Sequence, residues 1–162
     1  YRTYDLASFV SNKKLAYIGD KAVANSTLKK FAFDTKPKMG EKVFSRNSSI
    51  TYSKGLKKAG TSIEFAKLRK KKYTIRFAKV NGATGYEVKF KSAKYKKTFT
   101  TKKNVFTKAV SKNDVNKMGI TNGIEEDGTW TAGTVMVRPY KVGKKKKIYG
   151  KWSTKTLVLY YE

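Results

Sequence analysis

From Tyr73 onward the chain alternates apolar and polar residues with a period of two, and this limits its possible folds more than any other feature. Tyr73, Ile75 and Phe77 alternate with Thr74 and Arg76, and Tyr86, Val88 and Phe90 with Glu87 and Lys89. Val135 and Val137 alternate with Thr134, Met136 and Arg138, while Trp152, Thr154, Thr156 and Val158 share one parity. This is the period of half-buried antiparallel strands with one wet face. Turn-forming residues separate the runs: Asn81-Gly82, Lys102-Lys103-Asn104, Asn122-Gly123, Asp127-Gly128, and Gly143 before Lys144–Lys147. Short strands so spaced, with no helical segment between them, predict a sandwich or barrel. Its two layers are expected to meet on the inward side chains of the Tyr73–Phe90 and Val135–Val158 runs.

Residues 1–68 do not continue the pattern, and no internal repeat is read in them. Leu6, Phe9, Val10, Leu15, Tyr17, Ile18, Ala22 and Val23 predict one or two short helices, capped by Asp5 or Ser8. Strands are expected over Leu28–Phe33, Lys42–Phe44, Ile50–Tyr52 and Ile63–Leu68. A core of roughly sixty residues is marginal alone, so this part should pack on the C-terminal module, a neighbouring copy or another domain. The boundary is placed at Arg69–Lys72. The fold class is therefore mostly β: a smaller N-terminal β-rich or mixed region (1–68), then an antiparallel sandwich (69–162).

The segment Tyr73-Thr-Ile-Arg-Phe-Ala-Lys-Val-Asn-Gly-Ala-Thr-Gly-Tyr-Glu-Val-Lys-Phe90 resembles the B strand, BC turn and C strand of bacterial fibronectin type III domains. Val135–Val142, the Lys144–Lys147 turn and Ile148-Tyr-Gly-Lys-Trp-Ser153 resemble the F strand, FG hairpin and G strand of the same family. The resemblance covers about residues 69–162, near the ~100 residues of one Ig-like sandwich. It implies an Ig-like module of a Gram-positive cell-surface protein. Three departures mark it as remodelled. Phe77 stands at the core Trp of strand B, and Gly133 at the tyrosine of the E–F corner. The stretch from Ser111 to Trp130 exceeds the usual E–F connection. Surface modules of this kind sometimes carry Lys–Asn isopeptide bonds, which need a buried acid; Glu64 and Glu87 are the strand acids, and Glu87 reads as outward.

Charge and missing residue types narrow the chemistry. Across 162 residues, 38 Lys+Arg against 11 Asp+Glu give a formal charge of +27. The absence of Cys and His excludes disulfides, Cys/His zinc sites, Cys nucleophiles and His-dependent triads. Ser-x-x-Lys occurs at Ser11–Lys14 and Ser26–Lys29, but 11 Ser and 33 Lys yield about two such pairs by chance, and the companion motifs are missing. No enzyme activity, metal or cofactor is expected. The acids Glu125, Glu126 and Asp127 lack the spacing of a calcium loop and read as counter-charge. No apolar run approaches the roughly 18 residues of a membrane helix. Tyr1 in place of an initiating Met is expected of a processed product or a fragment.

Only five of the cations are Arg, and lysine is a hydrated point charge without the planar fork that reads base edges. Contact with polyanions is expected at Arg69, Lys70, Lys71 and Lys72, at Lys94, Lys96 and Lys97, and at Lys144, Lys145, Lys146 and Lys147. Tyr95 and Tyr149, set among lysines, are candidates for stacking on bases. The expected role is a non-enzymatic structural or adhesive module, extracellular or at the cell surface. Its partners would be anionic wall polymer or polysaccharide, neighbouring domains, or further copies in a filament completed by residues 1–68 or strand G. The alternative is a lysine-rich protein binding nucleic acid non-specifically.

Overall fold

The computed structural model describes residues 8–11, 15–23, 27–92, 94–118 and 129–160, without the side chains of Thr129, Trp130 and Tyr160. Its N-terminal strands are β1 (Ser8–Val10), β2 (Tyr17–Ile18), β3 (Lys30–Phe33), β4 (Lys38–Met39) and β5 (Ser49–Tyr52). There follow β6 (Ile63–Arg69), β7 (Lys72–Phe77), β8 (Lys79–Val80), β9 (Gly85–Lys91), β10 (Lys96–Thr101) and β11 (Val105–Ala109). A helix α1 (Lys112–Met118) precedes β12 (Thr129–Val142), β13 (Lys147–Tyr149) and β14 (Ser153–Tyr160). The chain is mostly β, as the alternation predicts.

The large sheet runs β10-β9-β12-β14-β6-β7-β11, with β13 on β12. Its pairs are antiparallel except β14 with β6, where Val158 lies beside Lys67 and Leu159 beside Leu68. The sheet folds over so that its two wings face each other. Tyr73 of β7 stacks on Phe90 of β9 at 4.0 Å, and Phe99 of β10 on Phe106 of β11 at 5.5 Å, which nearly closes a barrel. The inward set is Ala66, Leu68, Tyr73, Ile75, Phe77, Tyr86, Val88, Phe90, Val135, Val137 and Leu157, all buried. Each large member contributes about 1.5–3 kcal/mol by leaving water. In β14 the parity differs from the expected one. Leu157 and Ser153 turn inward and Thr154 and Thr156 outward, leaving Val158 on the outer parity. Gly133 sits where the β12–β14 register slips between Thr131 and Thr134; its φ of 112° suits glycine, and a Cβ would meet the Lys91 carbonyl at 2.6 Å.

The sheet begins before residue 69. Ile63–Arg69 pairs with Lys72–Phe77, so the expected boundary falls in the turn of the β6–β7 hairpin. In the other direction, β8 leaves the large sheet to pair with β5. The strand expected, with residues 1–68 as the other choice, to complete a neighbour's sheet falls at β14, which is paired on both flanks within the chain, by β12 and by β6.

The N-terminal region corrects the helical reading. Phe9 and Val10 lie on β1, and Tyr17 and Ile18 on β2. The strands stack in parallel, β1-β3-β5-β8 in one sheet and β2-β4 in another. Equivalent residues recur about every twenty positions, Ser8 beside Lys30 and Tyr17 beside Lys38, the offset of stacked coils. An internal repeat is therefore present after all. Ile18-Gly19-Asp20-Lys21 recurs as Met39-Gly40-Glu41-Lys42, and Lys21 and Lys42 both take positive φ, 53° and 50°. Phe31, Phe33, Val43, Phe44 and Ile50 fill the coils and are buried. The strand expected at Lys42–Phe44 lies instead at Lys38–Met39, with Val43 and Phe44 turned into the core from the following loop.

Coils and sheet share one core. Tyr52 donates its hydroxyl to the Gly60 carbonyl at 2.7 Å, Thr61 to Ala78, and Ser153 to Thr61. The Val80 N–H donates to the Tyr86 hydroxyl at 2.7 Å. These bonds satisfy backbone groups that burial would otherwise strand at about 1–3 kcal/mol each.

Candidate polyanion interface

The strand registers sort the expected lysines into two sets at opposite ends of the large sheet. The β6–β7 turn carries Arg69–Lys72, and the β9–β10 turn carries Lys94, Lys96 and Lys97. β9 runs antiparallel to β12, β12 antiparallel to β14, and β14 parallel to β6, so these two turns share an end. The Tyr73–Phe90 stack, one residue from Lys72 and Lys91, brings them face to face across the nearly closed sheet. Lys144–Lys147 lie between β12 and β13 at the other end, beside the coils: Gly150 donates to the Pro139 carbonyl and Lys151 to that of Ala59. All eleven named residues are exposed. They form two sites, not one.

The first end is closed by α1. Val110 donates its N–H to the Lys71 carbonyl at 2.7 Å, and the Tyr73 hydroxyl donates to Met118 Sδ at 3.5 Å. Lys97 Nζ holds Asp114 Oδ2 at 2.8 Å. That hydrogen bond pulls the Asp114 carboxyl below the usual carboxylate range and raises Lys97. The helix adds Lys112 and Lys117, and the hairpin adds Lys91 opposite Lys96, all exposed. Sequence reasoning missed these three lysines. A signal existed in Ser111-Lys-Asn-Asp114, an S-x-x-D helix start, and Ser111 Oγ accepts the Asp114 N–H at 3.1 Å. The result is a basic pole bearing one described carboxylate, Asp114. Lysines on turn tips track a flexible anion without selecting its sequence.

Lys70 and Lys71 both have positive φ, 47° and 55°. Consecutive left-handed residues in a two-residue hairpin loop make the type I′ turn, which matches strand twist. Both residues are exposed at its tip.

The stacking candidates fare differently. Tyr95 is only 4 % exposed and packs beneath the pole, so it offers no platform to a base. Tyr149 is half-buried with one face occupied: the Arg138 guanidinium lies 3.9 Å from its ring and 4.4 Å from that of Trp152. Arg138 also grips Glu87 through Nε at 2.8 Å and Nη2 at 2.6 Å. Glu87 thus faces outward as expected. Glu64 accepts the Arg46 N–H at 3.1 Å, and neither acid lies in the apolar core that an isopeptide bond requires. Asn122, Gly123, Glu125, Glu126, Asp127, Lys14 and Ser26 lie outside the described residues. Among the described residues no three His, Cys, Asp or Glu gather as metal ligands. Among the described residues no helix is long and apolar enough to cross a membrane.

Comparison of the chain with protein-family models, with curated proteins and with solved structures found no match.

Proposed function

We propose that the chain is a non-enzymatic structural or adhesive module of a Gram-positive surface protein, working outside the cell, whose basic pole holds anionic polymer. Strand order carries this reading. Taking β6, β7 and β11 as strands A, B and E, and β9, β12 and β14 as C, F and G, the sheet reads C′-C-F-G-A-B-E. That is the strand set of an immunoglobulin-like sandwich, with A and G joined along one side. It agrees with the fibronectin type III resemblance of residues 73–90 and 135–153. Such modules work through their loop ends, and here one loop end is lined with lysine.

Titration with a teichoic acid and with short DNA and RNA oligonucleotides, at two salt concentrations, tests the reading. The wall polymer should bind, weaken steeply between 50 and 200 mM salt as phosphate contacts do, and show no fixed site size on nucleic acid. Lys70→Glu with Lys71→Glu and Lys96→Glu should weaken binding at least about tenfold and flatten the salt slope. A saturable oligonucleotide complex of defined length, with no wall-polymer binding, overturns it in favour of the nucleic-acid alternative.

A further inference from the structure

The coil stack is closed on one side and open on the other. Phe31, Phe33 and Phe44 of the second coil are 2 %, 3 % and 1 % exposed. On the first coil the register partner of Phe31, Phe9, is not covered: it is 41 % exposed, and Tyr17 of β2 is 53 % exposed. Between them lies an apolar hollow of about 320 Å³, lined by Phe9, Leu15, Tyr17 and Val23 and reaching Phe31 and Phe44.

The contact between the first two coils shows what fits such an edge. Lys38 and Gly40 donate their N–H groups to the Ala16 and Ile18 carbonyls at 2.8 and 2.9 Å, and Lys21 donates to Glu41 at 2.8 Å. Asp20 Oδ1 accepts the Glu41 N–H at 2.6 Å, so the acid of one coil caps the corner of the next. Gly40 is required there, because a Cβ would run into the Asp20 carboxylate. Phe9 packs over Phe31 and Phe33 at 6.5 and 6.3 Å. The first coil thus offers the second an acid and two apolar rungs. The first coil repeats the corner, Gly19 included, and presents its receiving side to solvent.

We propose that the open edge of β1 and β2 is a docking edge for a further parallel coil. The occupant is a stretch of about twenty residues with an apolar–Gly–acid–Lys corner, the period and motif of the existing stack. Its acid accepts the Asp20 N–H, as Asp20 accepts that of Glu41, and its apolar rung covers Phe9 and Tyr17. The argument is continuity with an interface the fold already contains. A second copy of this chain fits less well. Its open coil edge among the described residues also presents the N–H side of the corner, and both partners would bring Lys21 to the contact.

Inserting a copy of residues 8–29 between Ala7 and Ser8 supplies such a coil in the full chain. Amide exchange at Phe9 and Val10 should slow at least about tenfold, and melting should rise by about 4 °C or more. D20N made in the inserted copy alone should remove part of that gain, and a scrambled insert of equal composition should give none. Unchanged or lower protection and melting overturn the proposal, as does an equal gain from the scrambled insert. Sedimentation showing that the unaltered chain dimerises, and that Phe9→Ser with Tyr17→Ser abolishes it, overturns it in favour of a second copy.

Discussion

Tyr73 lies flat on Phe90, ring centroids 4.0 Å apart and planes 23° from parallel, and the pair pins β7 to β9 across the interior of the folded-over sheet. Both rings are fully buried, and Phe90 also meets Phe99 edge-on and Phe106. Phe90→Ala leaves a cavity that the facing strands cannot both collapse into. It should cost about 3–5 kcal/mol, read by urea unfolding. Because the two lysine turns meet over this stack, polyanion affinity should fall with it.

The turn at Lys70-Lys71 can be improved. Both residues hold left-handed backbone, which Asn and Gly adopt more readily than lysine. Lys70→Asn with Lys71→Gly should raise stability by about 1 kcal/mol, seen as a higher melting temperature. The same variant removes two charges from the pole, so polymer binding should weaken while the fold strengthens. Stability and binding moving in opposite directions would mark the pole as a contact surface.

Arg138 makes a two-point grip on Glu87 while lying against Tyr149 and Trp152. Lysine keeps the charge but loses the fork and the flat face. Arg138→Lys should cost about 1.5–3 kcal/mol, most of it coupled to Glu87 in a double-mutant cycle with Glu87→Gln. A loss below about 0.5 kcal/mol would assign the cluster to the weak class of surface pairs.

Alkaline pH should unfold the protein through its tyrosines. Burial pushes the Tyr52 and Tyr73 hydroxyls well above their usual value and raises that of Tyr86. In the unfolded chain they ionise near pH 10, while folded they stay protonated. Their stabilising contribution is complete below pH 10 and declines above it, by about 1.4 kcal/mol per pH unit for each tyrosine. Phenolate absorbance should show part of the 11 tyrosines ionising only together with loss of the β signal.

The large sheet was readable because Tyr73, Ile75 and Phe77 each sit two residues from the next, and a wet outer face leaves that period intact. The N-terminal coils were not. Their strands are two to four residues long, too short for alternation to register, and Phe9 to Val23 suited a helical face equally well. The evidence for coils lay at longer range, in the recurrence of Ile18-Gly-Asp-Lys as Met39-Gly-Glu-Lys. Its outer residues differ and its spacing shifts between coils. The lysines could be named from sequence, but not their division into two ends, which depends on the direction of β14 beside β6. Tyr95 misled because its neighbours Lys94 and Lys96 are exposed while the β9–β10 turn folds Tyr95 into the core.

The parallel seam between β14 and β6 joins residues 158–159 to residues 67–68. Residues 67–68 must therefore wait for the synthesis of residues 158–159 before the barrel can shut. Until then β6 keeps bare amides along one border, the kind of border on which unrelated chains aggregate. Lys67 and Arg69, spaced along that border, place charge where such sticking would start. Two of this protein's many cations thus stand on the strand that the seam completes.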